Sequence, residues 1–271
     1  MNKLLNKTAT DTQGIMDSAA ALTHYTLERY QPSARLASFV EYYWIVRWDL
    51  SAGASYTTEI IPFPNVNVAI TSDEATITGP ITTKYTRTLS GSGVVVGIKF
   101  LPGGFQPFYA KPMERLTNQT VQLKTVFPAS RIKKVTALLG ESDTALVDEV
   151  ERLLLSKRPQ KDDTIGAVSS LIDAVKQDRA LQQVQAVCDA FDVSERTVQH
   201  AFKKYVGIGL KWIIMRYRLQ DVAQAIEGGA TNWATLAVDY GFSDQAHLIR
   251  EFKKVTGETP ATYSKRINAS S

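Results

Sequence analysis

Arginine and glutamine side chains on one face of a helix present forks of hydrogen-bonding groups that match the edges of base pairs. In this chain Arg196, Gln199, His200 and Lys203 recur at intervals of three and four residues, with Thr197 beside them. That spacing puts them on one helix face. About 50 residues later Gln245, Ala246, Ile249, Arg250 and Lys253 form a second such face, in which Ala and Ile are of a type that touches a thymine methyl. A helix bearing either set suits the major groove of double-stranded DNA.

The residues around the two sets explain how they would be positioned. Val187-Cys188-Asp189-Ala190-Phe191-Asp192-Val193-Ser194, then Val198, Phe202-Lys203-Lys204 and Gly207, match Leu236-Ala237-Val238-Asp239-Tyr240-Gly241-Phe242-Ser243, then Leu248, Phe252-Lys253-Lys254 and Gly257. The offset is 49 residues before the turn and 50 after it, so one extra residue sits in the second turn. Each copy has the parts of a helix-turn-helix. A small residue (Cys188, Ala237) lets a second helix cross closely. Asp192 or Gly241 tolerates the positive φ of a tight turn, and Val193 or Phe242 plugs the corner. Ser194 and Asp244 are N-caps for the helix that follows. Behind the polar face of that helix run Val198, Ala201, Phe202 and Tyr205 in the first copy, and Leu248, Phe252 and Val255 in the second. One copy alone would read equally well as an ordinary amphipathic helix pair with a solvated face. Two copies sharing the turn and the Phe-Lys-Lys ending favour the DNA-reading alternative.

The first half has a different period. Tyr42-Tyr43-Trp44-Ile45-Val46, Val66-Asn67-Val68-Ala69-Ile70, Ala75-Thr76-Ile77-Thr78 and Val94-Val95-Val96-Gly97-Ile98 are short and rich in β-branched or aromatic residues. Pro62, Pro64, Gly79-Pro80, Gly91 and Pro102-Gly103-Gly104 bound them. This predicts an antiparallel barrel or sandwich to about residue 117. From 118 to 155, Val135, Leu138 and Leu139, then Leu146, Val150, Leu153 and Leu154, predict an αα-hairpin. The stripe between Leu146 and Leu155 would either pair two subunits or pack on its own barrel, so a homodimer and a monomer both remain open. The polar run 156–163 reads as a linker. The fold class is therefore α+β: a β-rich sensor or dimerisation domain with trailing helices over residues 1–155, then an all-α domain over 164–271.

Composition narrows the function. Apolar residues make up 44% of the 271, enough for packed cores, and the net charge of +4 permits a nucleic-acid partner without demanding one. The single Cys188 cannot form an intramolecular disulfide, which fits a reducing, cytoplasmic setting. Residues 1–21 have no signal-peptide core, and no stretch is long and apolar enough for a membrane span. A metal-dependent barrel enzyme would need clustered imidazole and carboxylate ligands. His24 is alone in the first half, so no catalytic residue, metal site or cofactor is expected. Cys188 lies on a helix that packs inward, where a buried thiol is inert. Gly91-Ser92-Gly93 followed by Gly97 has the wrong spacing for a phosphate loop and reads as a turn into a strand. Tyr42, Tyr43, Trp44 and Trp48 could line a ligand pocket because small-molecule pockets are largely aromatic, with Tyr42, Trp44 and Trp48 as the ligand-binding candidates; the other reading is that the run is core.

The C-terminal residues resemble the DNA-binding domain of the AraC/XylS transcription regulators over 164–267. The most specific match is Leu236-Ala237, Gly241-Phe242-Ser243, His247-Leu248, Arg250, Phe252-Lys253-Lys254, Gly257, Pro260 and Tyr263. The first unit departs from the pattern, with Leu210 where a proline is common. The resemblance implies that residues 211–226, with Arg216 and Arg218-Leu219, form a linker helix holding two recognition helices about 34 Å apart, one turn of DNA. Glu41-Tyr42-Tyr43-Trp44 and Lys99-Phe100-Leu101-Pro102-Gly103-Gly104 resemble the sensor region of some members, with Lys99 where arginine is more usual. That implies a barrel that binds a small effector or mediates dimerisation, and a regulator acting on RNA polymerase. The rival reading is a small-molecule-binding barrel with an enzymatic or interaction role and a non-specific DNA-binding tail.

Overall fold

The computed structural model describes residues 23–60 and 62–270; the stretch 1–21, read above for a signal peptide, lies outside the described residues. The described residues begin with a β-rich region of eight strands. They are β1 (Tyr25–Tyr30), β2 (Val40–Asp49), β3 (Ser55–Ile60), β4 (Asn67–Ile70), β5 (Ala75–Thr78), β6 (Tyr85–Ser90), β7 (Ser92–Phe100) and β8 (Thr120–Gln122), with a short helix α1 (Gln106–Tyr109) before the last. Six of them form one antiparallel sheet in the order β1-β2-β7-β4-β5-β8, and β3 pairs with β6 in a separate two-stranded sheet. The six-stranded sheet keeps β1 and β8 as its two ends, so the ladder stays open.

Because side chains alternate across a strand, the large sheet has two unlike faces. Tyr43, Ile45, Val68, Ile70, Ile77, Val96 and Ile98 fill the core face and are almost wholly buried. Onto it pack α2 (Ala129–Thr136) and α3 (Asp143–Leu155). Ser142 caps α3 by accepting the Ala145 N–H, and Leu146, Val147, Val150, Leu153 and Leu154 all point inward. Burial of this kind stabilises by about 1.5–3 kcal/mol per side chain. Of the two roles open to the α3 stripe, packing on its own sheet is the one adopted.

The C-terminal half is helical: α4 (Asp163–Gln177), α5 (Val184–Ala190), α6 (Glu195–Ala201), α7 (Leu210–Glu227), α8 (Trp233–Asp239), α9 (Gln245–Thr256) and α10 (Pro260–Ser270). Leu210 starts α7 directly after Gly209, without the proline usual there. Two cores lie side by side on α7. Its first turns bury Leu210, Ile213 and Ile214 with α4, α5 and α6, and its last turns bury Leu219, Val222 and Ile226 with α8 and α9. Asp162 caps α4 by accepting the Thr164 N–H, and the helix serves both halves. Ile165 belongs to the N-terminal core, whereas Val168, Leu171, Ile172 and Val175 belong to the C-terminal one.

Candidate nucleic-acid interface and the sheet cavity

The two helix-turn-helix units close by the same bonds. In the first, Val193 N–H donates to the Cys188 carbonyl at 3.0 Å; in the second, Phe242 N–H donates to that of Ala237 at 2.8 Å. The bend is carried by a residue in the left-handed region, Asp192 at φ 50° and Gly241 at φ 70°. Cys188 and Ala237 are buried at the crossing, and burial pushes the Cys188 thiol pKa upward, away from the reactive thiolate. Ser194 Oγ accepts the Thr197 N–H and Asp244 Oδ1 accepts the His247 N–H, capping α6 and α9. The His247 N–H, chief among the bonds it receives, holds the Asp244 carboxyl below its usual range. Each recognition segment ends on a left-handed glycine, Gly207 and Gly257, both at φ 85°.

On α6, Arg196, Thr197, Gln199 and His200 are exposed, as is Lys203 just beyond it. On α9, Gln245, Ala246, Arg250 and Lys253 are exposed, while Ile249 is half-buried. Three residues of the first set already have partners. Gln199 donates to Glu195 at 2.9 Å, Thr197 shares a hydroxyl bond with Ser194 at 2.8 Å, and Lys203 lies 3.2 Å from the Glu114 carboxylate of the N-terminal half. The continuous helix expected through residue 205 changes at Phe202 to a wider π-type turn over Phe202–Val206. This swings Tyr205 out of its own unit's stripe and into the N-terminal core, where its hydroxyl donates to Asp162.

Arg218 on α7 locks the two units together. It donates to the Gly241 carbonyl, in the turn of the second unit, at 2.9 Å, and to the Gln182 carbonyl just ahead of α5 in the first. Arg179 adds an ion pair to Asp221 at 3.3 Å and lies 5.5 Å from the centre of the Tyr240 ring. Arg216, two residues before Arg218 on the same helix, is buried with 3% exposure, and burial pushes its pKa down to about 10. Its Nε donates to the Pro62 carbonyl of the N-terminal half at 3.0 Å, and its guanidinium sits 4.1 Å from the centre of the Phe63 ring.

Between the other face of the large sheet and the strands β3 and β6 lies a partly open cavity of about 480 Å³. Tyr42, Trp44 and Trp48 all line it, together with Phe63 and Lys99. Tyr43, the neighbour in the same aromatic run, points the opposite way and donates to Glu151 at 3.2 Å. Trp44 pairs in register with Gly97, and Trp48 with Gly93. A Cβ on Gly97 would fall 1.9 Å from the Trp44 ring and one on Gly93 2.4 Å from that of Trp48, so each indole lies flat on a bare stretch of β7. Lys99 pairs with Glu41 at 3.2 Å, and its ammonium lies 5.2 Å from the centre of the Tyr42 ring and 5.0 Å from that of Phe63. Phe63 thus stands between the cavity and Arg216, a position with no mark in the sequence beyond its flanking prolines.

Residues 187–266 match the family described as a helix-turn-helix domain, and residues 28–122 match a domain of unknown function (DUF6597). A probable transcription factor, PqrA of Proteus vulgaris, is 28% identical over 81 residues; the match covers 30% of this chain and 66% of PqrA's length. Among solved structures, the C-terminal domain of AraT, a response regulator from Geobacillus stearothermophilus, aligns over 36% of this chain and 84% of its own, at 18% identity and a TM-score of 0.34. ToxT from Vibrio cholerae with an unsaturated fatty acid bound aligns over 89% of this chain and 95% of its own, at 11% identity and a TM-score of 0.34.

Proposed function

We propose that this chain is a regulator of the AraC kind, a reading that its helix-turn-helix match and its likeness to PqrA support, and that it reads a specific double-stranded DNA site with α6 and α9 in successive major grooves. The observation that carries the reading is the duplication of the whole unit: the same turn closure, positive-φ residue, side-chain N-cap and C-terminal glycine, 49 to 50 residues apart. An isolated amphipathic helix needs none of these in duplicate, whereas two grooves one turn apart need two equal readers. Arg196, Gln199 and His200 on α6, and Gln245, Ala246, Ile249 and Arg250 on α9, face the bases. Thr197, Lys203 and Lys253 serve the backbone or the base edges beside it. Residues 164–271 form the reader, 156–163 the linker and 1–155 the sensor.

The sensor's cavity takes a small effector whose flat apolar part stacks on Trp44 and Trp48, with Tyr42 alongside. Its volume falls within the range of ordinary ligand pockets, roughly 300–1,000 Å³. The chain then acts as a binder that presents DNA to RNA polymerase, and not as a catalyst. Among the described residues no helix is long and apolar enough to cross a membrane, which suits a protein that meets the chromosome directly. In-vitro selection of DNA sites on the full chain, followed by footprinting, tests the reading. The expected result is one preferred sequence with protection over two adjacent major grooves on one side of the duplex. Binding without sequence preference would leave only the non-specific tail.

A further inference from the structure

The equivalent glycines at the ends of the two recognition segments are both touched by the N-terminal half. The Thr117 hydroxyl donates to the Gly207 carbonyl at 2.7 Å, and a Cβ on Gly207 would lie only 2.7 Å from the Met113 carbonyl oxygen. At Gly257 the neighbour is Lys84, whose Cε would lie 2.9 Å from such a Cβ. A left-handed glycine after a helix needs no outside partner, since it caps the helix by itself. A neighbour from another part of the chain at both repeats is a separate fact.

The two contacting segments are one piece of structure. Asn118, itself at φ 57°, accepts both the Thr82 N–H at 2.8 Å and the Thr82 hydroxyl at 3.1 Å, and its own N–H donates to the Pro80 carbonyl at 2.9 Å. Gly79 lies so close to the Leu116 carbonyl that a Cβ there would fall 1.9 Å from the oxygen. The piece continues into the cavity wall: Thr78, Gly79 and Ile81 line the cavity, and Thr78 pairs with Thr120 across β5 and β8.

We infer that segments 79–84 and 112–118 form a yoke that holds both helix-turn-helix units at their equivalent glycines and so sets the spacing of the two recognition helices. Thr117 and Lys84 are its positioning residues. The inference rests on the DNA-reading function proposed above. It adds that the site's preferred half-site separation is determined partly outside the reader, and that the cavity wall is the part of the sensor able to change it. An occupant that favours one position of the Gly79–Ile81 wall over another shifts the yoke by its difference in affinity for the two.

The test uses the full chain and two readouts. On the selected DNA site, affinity is measured at the native spacing and with one base pair added or removed between the two grooves' elements. Wild type should discriminate against both altered sites. Thr117→Val and Lys84→Ala should each reduce that discrimination about threefold, and together about tenfold, while the footprint is kept. Thr117→Ser should restore the wild-type ratio. A loss of affinity equal at all three spacings overturns the yoke. Independently of DNA, spin labels at Asp189→Cys and Val238→Cys, exposed on α5 and α8, should report a single narrow distance that broadens in the Thr117→Val/Lys84→Ala chain. An unbroadened distance overturns the yoke even where DNA binding is selective. Broadening in a chain with no DNA preference overturns the DNA-reading function and leaves the yoke standing.

Discussion

Replacing Arg216 by two residues of different size separates the cost of its charge from the value of its volume. Burial pulls its pKa from 12.5 to about 10. At roughly 1.4 kcal/mol per pH unit, keeping the guanidinium charged there costs about 3 kcal/mol. Against this stand the bonds from Nε to Pro62 and from Nη1 to Gln220, each worth about 1.5 kcal/mol for a charged donor. The desolvated stack on Phe63 at 4.1 Å is worth about 2 kcal/mol. The favourable side exceeds the cost by about 2 kcal/mol. Arg216→Met forfeits that margin but returns about 1 kcal/mol by filling the space with apolar atoms. Its stability should therefore lie within about 1–2 kcal/mol of wild type. Arg216→Ala loses the same bonds and, unlike Met, also opens a void, so it should cost about 3–4 kcal/mol. Urea unfolding of the full chain, followed by tryptophan fluorescence, gives both numbers. If Arg216→Met falls as far as Arg216→Ala, the charge itself holds the halves together and the balance above is wrong.

Three further outcomes follow from the interface. Arg196→Ala and Arg250→Ala should each weaken binding to the selected site by about 1–3 kcal/mol and relax preference at one base position; unchanged affinity in both would end their assignment as base readers. Lys253→Ala should reduce the dependence of log affinity on log salt by about one phosphate's worth, and weaker binding with an unchanged slope would reassign it to a base. The Tyr205 hydroxyl, followed by the Thr164 bonds, holds the Asp162 carboxyl below its ordinary 3.8. A depressed carboxylate adds stability above the unfolded value that is lost as pH falls through the folded one. Melting temperature should thus drop more steeply below about pH 4 in wild type than in Asp162→Asn, and parallel curves would refute the tie.

The helix-turn-helix units were legible because their signals are local. A positive-φ residue, a side-chain cap and a buried small residue fall within a dozen positions, and the duplication repeats each of them. Tyr42 and Trp44 against Tyr43 were separable in principle by strand alternation alone, since residues one apart must face opposite sides. The strands β1, β3, β6 and β8 carry no comparable signal in the sequence. Their sequences, such as Tyr85-Thr86-Arg87-Thr88-Leu89-Ser90, carry Thr and charge where a core strand carries aliphatic residues. They border the cavity or end the sheet and have little apolar surface to bury. Contacts between the halves left no trace at all. Tyr205 fits its own helix's stripe perfectly well by spacing, and only the π-type turn, set by what it packs against, sends it elsewhere.

Both halves give up something to the contact, which argues that it has a purpose beyond stability. Among the described residues no carboxylate bonds to the buried Arg216 guanidinium, although an apolar residue would hold the same position at similar free energy. Lys203, suited by its face to a phosphate, is engaged by Glu114 instead. That pair is exposed at both ends, 64% and 41%, so it is worth little and is readily exchanged for DNA. Across the boundary, directed bonds to Pro62, Pro102, Gly207 and Glu114 stand beside the apolar contacts of Ile165 and Tyr205 with the N-terminal core. The apolar contacts hold the halves together without fixing direction. Directed bonds beside a cavity can be remade in a second arrangement at small cost, which is what control of a DNA reader by a small molecule requires.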